Sequence, residues 1–307
     1  MDDGSETAIF PSGLQGPHFQ VRASSLILVA GLVCLVAIAL IAYRYASPTG
    51  SKVPNPDPNL SSVPSVSYWE MDQDQQDLLI RQRLDHVFAL VGDDPVALTD
   101  EETDAIRTEI NRYVERRDSL SQEQFREGLR TIYGRASQYA GLIKRTFERR
   151  KVPGILGIYQ AMIESEYRDC PSHPHERGPV GLFQFSRKVA ERYNLKASEY
   201  CNVEKQADAA ARHMSDLLSD FGSEKGSWTL ALLSFNDGTD TVRDYLRATR
   251  ARGVTERTYW AIRRDRNNFN PPLRDDSLAY VVRFIAVAVI GETPEAFGLP
   301  MSPLSEH

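Results

Sequence analysis

Beyond residue 70, apolar positions recur every three or four residues, the period of a helix that buries one face. Ile80, Leu84, Val87 and Val91 mark a first helix. The stretch "TDEE", Thr99 to Glu102, reads as a capping box and opens a second, carried by Ile106, Ile110 and Tyr113. "SLSQEQF" opens a longer pattern through Phe125, Leu129, Ile132, Ala136, Tyr139, Ile143 and Phe147. Pro153 stops it and starts the next helix, Ile155 to about Ser165. Later patterns run through Ala207, Ala211, Met214, Leu218 and Phe221, then from Trp228 to Phe235, then from Val242 to Leu246. A last apolar helix runs from Ser277 to Ile290 and ends at Gly291. Strand-like alternation is nearly absent. The expected class is mainly α, with at most a small β-hairpin near 170–183.

The first part of the chain has a different texture. Residues 1–22 form a short arm containing Gly, Ser and Pro. Residues 23–45 hold the uncharged run "ASSLILVAGLVCLVAIALIAY", long enough to cross a bilayer as one helix. Arg22 and Arg44 bracket it, and Tyr43 and Tyr45 stand where interfacial aromatics belong. The acidic arm and the length of the run favour an uncleaved anchor over a signal peptide, and Val33 before Cys34 argues against a lipoprotein site. Arginine counts leave its orientation open. Residues 46–68 are rich in Pro, Ser and Asn and read as a semi-extended spacer. A helical lead-in over 69–150, a main domain over 151–300 and a tail over 301–307 complete the expected organisation.

Charge narrows the function classes. The net charge of −6 on 307 residues gives no basic excess for a phosphate backbone, so nucleic acid is not an expected partner. Beyond Cys34 in the apolar run, the cysteines are Cys170 and Cys201. In an exported domain they form a candidate disulfide; in a reducing compartment they stay free thiols. Cys170, His173, His175 and Cys201 could ligate zinc, but their spacing matches no familiar zinc pattern. No metal and no cofactor are expected.

The stretch "MIESEYRDCPSHPHERGPVGLFQF" carries the candidate chemistry. Glu164 ends an otherwise apolar helix, where desolvation raises a carboxyl pKa and readies it as a general acid. Gly178 and Gly181 permit a tight turn close to a ligand. Phe183 and Phe185 offer faces for a sugar ring, and Gln184 a donor and an acceptor. Downstream, "LLSFNDG" presents Asn236 at a helix end, and "DDSLAYVV" places Tyr280 near the start of the last helix. Each alone reads as easily as packing or capping.

Together they resemble the lytic transglycosylase domain of the lysozyme-like superfamily, most like the membrane-bound murein transglycosylase D group. "KVPGILGIYQAMIESEY" is similar to its Val-Pro entry and Glu-Ser helix end, and "GPVGLFQF" to its Gly-Leu-x-Gln-Phe turn. "SFNDG" resembles its Ala-Tyr-Asn-Ala-Gly motif, and "DDSLAYVVRFIAVAVIGETPEAFGL" its Glu-Thr-x-x-Tyr-Val stretch with the following Phe-Gly. The resemblance spans roughly residues 125–300. It implies cleavage of the MurNAc–GlcNAc β-1,4 bond of peptidoglycan without water, leaving 1,6-anhydro-MurNAc ends. Glu164 would be the single acid/base, with Ser165, Phe183, Gln184, Phe235, Asn236 and Tyr280 binding substrate. It further implies the inner membrane of a Gram-negative-type bacterium, crossed once, with the catalytic domain in the periplasm. Peptidoglycan strands are the expected partner, and no protein partner is indicated. The sequence departs from the family pattern at Phe235, where a hydroxyl is lost, at Pro179 and at His175. Two alternatives stand beside this reading: a lysozyme-like hydrolase using the same Glu164, and a peptidoglycan-binding scaffold that does not cut.

Overall fold

The computed structural model describes residues 66–115, 128–168, 178–222, 224–273 and 275–307. They all lie in the compact unit Pro58–His307. The arm, the apolar run at 23–45 and most of the spacer fall outside the described residues, as do Phe125 and residues 169–177. Among the described residues no helix is long and apolar enough to cross a membrane.

The described chain is mainly helical. Its α-helices are α1 (Gln73–Val91), α2 (Asp100–Val114), α3 (Leu129–Arg149), α4 (Gly154–Ser165), α5 (Arg187–Arg192), α6 (Val203–Phe221), α7 (Ser227–Asp237), α8 (Thr239–Ala251), α9 (Tyr259–Arg264) and α10 (Asp275–Gly291). Of the expected hairpin, the described residues show one isolated antiparallel bridge, Val180 with Phe185.

Local chemistry sets the helix ends. Asp72 caps α1 by accepting from the Gln75 amide, and the Gln75 side chain returns the bond. The expected box at α2 forms: the Glu102 carboxylate accepts from the Thr99 amide at 2.8 Å. Glu102 is also buried and takes the Arg264 guanidinium of α9 at 2.8 Å, so one side chain caps a helix and ties it to another 162 positions away.

Two helices form the axis of the core. α4 buries every residue from Gly154 to Met162, and α10 is apolar on nearly all sides; a helix hydrophobic all round belongs inside. α4 packs on α3 and α10, α10 on α2 and α7, and α6 on α3 and α7. The α3–α4 approach depends on Gly157, where a Cβ would lie 2.4 Å from the Phe147 ring. One continuous hydrophobic cluster runs from Tyr68 to Leu304, so the lead-in helices share a core with the residues that follow them.

The last residues are part of that core as well. Leu304 is fully buried, and the buried Glu292 carboxylate accepts from the Ser305 amide and hydroxyl and from the Tyr159 hydroxyl of α4. Lys144 of α3 donates to the Ser305 carbonyl. This lock holds α4 against its neighbours.

Candidate functional site

Glu164 sits in the last turn of α4, half-buried. The chain leaves that helix abruptly: Glu166 and Tyr167 both take left-handed backbone, at φ 51° and 56°. Such conformations cost of order 1–3 kcal/mol each for non-glycine residues and persist only where the surroundings enforce them. Here they do. Arg135 of α3 donates to the Glu166 carbonyl at 2.8 Å, and the buried Tyr167 hydroxyl donates to the Ile158 carbonyl at 2.7 Å. Tyr139 stacks on the Tyr167 ring with centroids 6.1 Å apart. The carboxylate at the helix end is therefore set on a rigid corner.

Across from it, the Tyr280 hydroxyl of α10 donates to Glu164 Oε1 at 2.6 Å. Residues 116 positions apart thus meet as a pair. Burial pushes the Glu164 carboxyl up from its ordinary 4.5 to about 7, and the Tyr280 hydrogen bond, which favours the ionised form, pulls partly the other way. Burial, with the Glu164 charge nearby, holds the Tyr280 phenol well above its usual range, so it remains a donor. Around pH 7 the pair holds both an acid and a base form in quantity, the condition for a group that must first give and then take a proton.

Gln160 belongs to this site, although nothing in the motif reading singled it out. It lies four residues before Glu164, hence on the same helix face, and is fully buried. Its amide approaches the Tyr280 hydroxyl, yet neither amide atom completes a regular hydrogen bond. A lone amide in an otherwise apolar helix, one turn from a candidate acid, was the available signal. Glu166, the neighbouring carboxylate, faces elsewhere and pairs with Arg168 at 2.9 Å.

The remaining expected site residues divide. Ser165 is half-buried, and its hydroxyl is spent on the Ala161 carbonyl at 3.1 Å. Gln184 is half-buried in the turn after Gly181, with its own φ at 46°, and its amide donates to the Gly181 carbonyl at 2.6 Å. Phe235 is partly buried, with its ring 5.7 Å from Phe185 and 4.9 Å from His213. Burial lowers His213 to about 4, so this aromatic nest holds a neutral imidazole at physiological pH. Asn236 is exposed at the end of α7, beside Asp237 at the edge of a cleft.

Phe183 does not line a cleft. It is wholly buried, packed against Phe147 at 6.0 Å and Phe185 at 6.1 Å between centroids. In the tight turn the apolar residue on the inner side serves the core, and no ring face is left for a sugar. Phe183→Ala should accordingly cost about 3–5 kcal/mol of stability, the range for emptying a core aromatic site, as read by urea unfolding. A near-neutral change would return Phe183 to the cleft.

The turn itself is set by Gly181, at φ 71°. A Cβ there would lie 1.9 Å from Gln206 Nε2 and 2.5 Å from the Tyr200 carbonyl oxygen. Gln206 in turn donates to that carbonyl at 2.9 Å, so Gly181 packs against a fixed amide–carbonyl pair at the start of α6. Gly181→Ala should destabilise by at least about 2 kcal/mol, from strain and overlap together, and lower the thermal midpoint measurably.

Cys201, just before α6, is disulfide-bonded. Cys170, named with it in the sequence reading, lies outside the described residues. So do His173 and His175, which were weighed with the two cysteines as zinc ligands.

This arrangement combines one raised carboxyl, a phenol donor on it and a glycine-set turn. Residues 147–257 match the transglycosylase SLT domain. The SLT match takes in the end of α3, the Glu164 corner, the Gly181 turn and the Phe235-Asn236 helix end. The family is of the lytic transglycosylase type, which acts on peptidoglycan. Tyr280 and α10 lie beyond the matched residues, so the partner of Glu164 comes from outside the SLT match. No curated protein matches the chain.

Proposed function

We propose that the protein is a peptidoglycan lytic transglycosylase with Glu164 as its single acid/base. The observation that carries this is the Glu164 carboxyl at about 7, held on a rigid helix end and contacted by Tyr280, inside an SLT match. Protonated Glu164 gives its proton to the glycosidic oxygen as the bond to MurNAc C1 breaks. The GlcNAc side leaves with a free hydroxyl. The carboxylate, now ionised and steadied by the Tyr280 hydroxyl, takes the proton of the MurNAc C6 hydroxyl while that oxygen bonds to C1. The 1,6-anhydro ring closes, Glu164 ends protonated as it began, and no water is consumed.

Glycosidases that use water need a second carboxylate as base or nucleophile. The engagement of Glu166 with Arg168 supports the single-carboxylate route. The hydroxyl lost at Phe235 weakens substrate positioning but leaves the Glu164–Tyr280 pair intact. On this reading the apolar run at 23–45 anchors the chain in the inner membrane, and the spacer carries the domain to the wall in the periplasm.

Mass spectrometry of muropeptides released from sacculi tests this, with wild type beside Glu164→Gln. Anhydro-muropeptides from wild type alone are expected. Reducing ends would make the protein a hydrolase. Binding without any product would leave a wall-binding scaffold.

A further inference from the structure

Helix α4 carries two wholly buried polar side chains, Tyr159 and Gln160. The Tyr159 hydroxyl has its partner, the Glu292 carboxylate. Gln160 differs: both atoms of its amide are buried without a regular hydrogen bond. A buried polar group in that state costs stability, so its presence asks for a physical reason. Its neighbours Ile158, Ala161 and Met162 are apolar and wholly buried, and none of them offers a side-chain partner.

The packing of α10 on α4 says what lies beside the amide. The two helices run in opposite senses. Tyr280 meets Glu164 at 2.6 Å, and Phe284, one turn later on α10, meets Tyr159 edge to face with centroids 6.1 Å apart. Gln160 stands between these two contacts on α4. It comes one turn before Glu164 on the same face, where Cβ atoms lie roughly 5–6 Å apart. The Tyr280 hydroxyl is therefore within reach of both side chains. Burial and the Glu164 charge hold that phenol well above its usual range, and the Gln160 amide pulls it the other way. That direction belongs to an N–H donated to the phenol oxygen, since such a bond favours the ionised form.

A phenol oxygen has one hydrogen to give and lone pairs to receive with. Tyr280 gives its hydrogen to Glu164 Oε1. An amide N–H on a lone pair polarises that O–H and makes it a stronger donor. It also discourages Tyr280 from turning round to accept the proton of a neutral Glu164. Oε1 then stays an acceptor in both states of the carboxyl. The proton of the acid form rests on Oε2, which has no partner among the described residues. The other titratable groups around α4 are engaged elsewhere. On α3, Arg135 donates to the Glu166 carbonyl and Tyr133 to the Val287 carbonyl. Glu166 pairs with Arg168, Tyr167 donates to the Ile158 carbonyl, and Glu292 takes Tyr159 and Ser305, with His86 of α1 at 3.6 Å.

We propose that Gln160 is a positioning residue for the acid, acting through Tyr280. Its amide holds the phenol hydrogen on Glu164 Oε1, so that the proton to be given to the glycosidic oxygen sits on Oε2. The contact tightens as charge builds on Glu164, as catalytic hydrogen bonds often do only with substrate bound. This rests on the reading of Glu164 as the acid/base, but the two fail separately.

The test is a double-mutant cycle on the full chain in detergent, read by ¹³C titration of the Glu164 carboxyl and by turnover on sacculi. Gln160→Met keeps an unbranched side chain of similar length and removes both orphan atoms. The Glu164 midpoint should rise by about half a unit, because Tyr280 becomes a weaker donor. Turnover should fall about three- to tenfold in kcat with KM nearly unchanged. The thermal midpoint should hold or rise, since a buried amide without partners has gone. In the Tyr280→Phe background the relay has no middle member, and Gln160→Met should move the Glu164 midpoint no further. Gln160→Leu repeats each arm should the Met side chain disturb the packing. An unmoved midpoint in both single variants, or the same shift with and without the Tyr280 hydroxyl, overturns the proposal. The titration needs no substrate, so it stands apart from the lytic reading, which fails if wild-type digests lack anhydro ends.

Discussion

Glu164→Gln is expected to lower kcat by about 10³-fold or more, since general acid and general base help are lost together, and at the same time to make the protein more stable above pH 7. The second effect follows from linkage. Burial lifts the Glu164 carboxyl in the fold from 4.5 to about 7. Between those values the folded chain holds a proton that the unfolded chain has released. The contribution of this group to stability is thus fully present below about 4.5 and is lost as pH rises through 7. Glutamine has nearly the same shape, can still accept from Tyr280, and never ionises. Its advantage should be absent near pH 4.5 and grow to about 1–3 kcal/mol by pH 8. Calorimetric melting at those two pH values reads it. An equal stability difference at both would mean that Glu164 is not held in a desolvating site.

Tyr280→Phe comes second in size. The ring stays, so the core around α10 keeps its packing. What goes is the hydroxyl 2.6 Å from Glu164, the contact that favours the ionised carboxyl. A hydrogen bond to a charged group contributes about 1.5–3 kcal/mol. The Glu164 carboxyl should therefore rise further, by about one to two units. The high-pH limb of kcat/KM, which marks the loss of the acid, should move upward by that amount. Turnover at pH 7 should fall about 10- to 100-fold, because the base form needed for ring closure becomes scarce and loses its donor. A rate loss with an unmoved limb would make Tyr280 a packing residue.

Much of this could be read along the chain, for reasons that can be stated. The longer helices were legible because their apolar positions keep one period, and the α2 box because it depends on four adjacent residues; α5 and α9, at six residues each, are too short to show a period. Glu164 stood out as a carboxyl closing an apolar helix, and its burial gives it the raised pKa that this position suggested. Phe183 was misplaced because an aromatic beside a glycine turn looks the same whether it faces a ligand or the core; only the three-dimensional closeness of Phe147 decides. The left-handed pair Glu166 and Tyr167 left no trace in composition, since Arg135, Tyr139 and the Ile158 carbonyl enforce it from afar. The double duty of Glu102 was hidden for the same reason, its second partner being Arg264.

These points converge on one property, a single carboxyl that is half protonated where the protein works. Direct titration of the Glu164 side-chain carboxyl by ¹³C NMR, over pH 3 to 9 in the full chain, tests it most plainly. The account predicts a midpoint near 7, moving up in Tyr280→Phe. A midpoint near 4.5 would mean that Glu164 is an ordinary ionised carboxylate at neutral pH and would contradict its role as the acid.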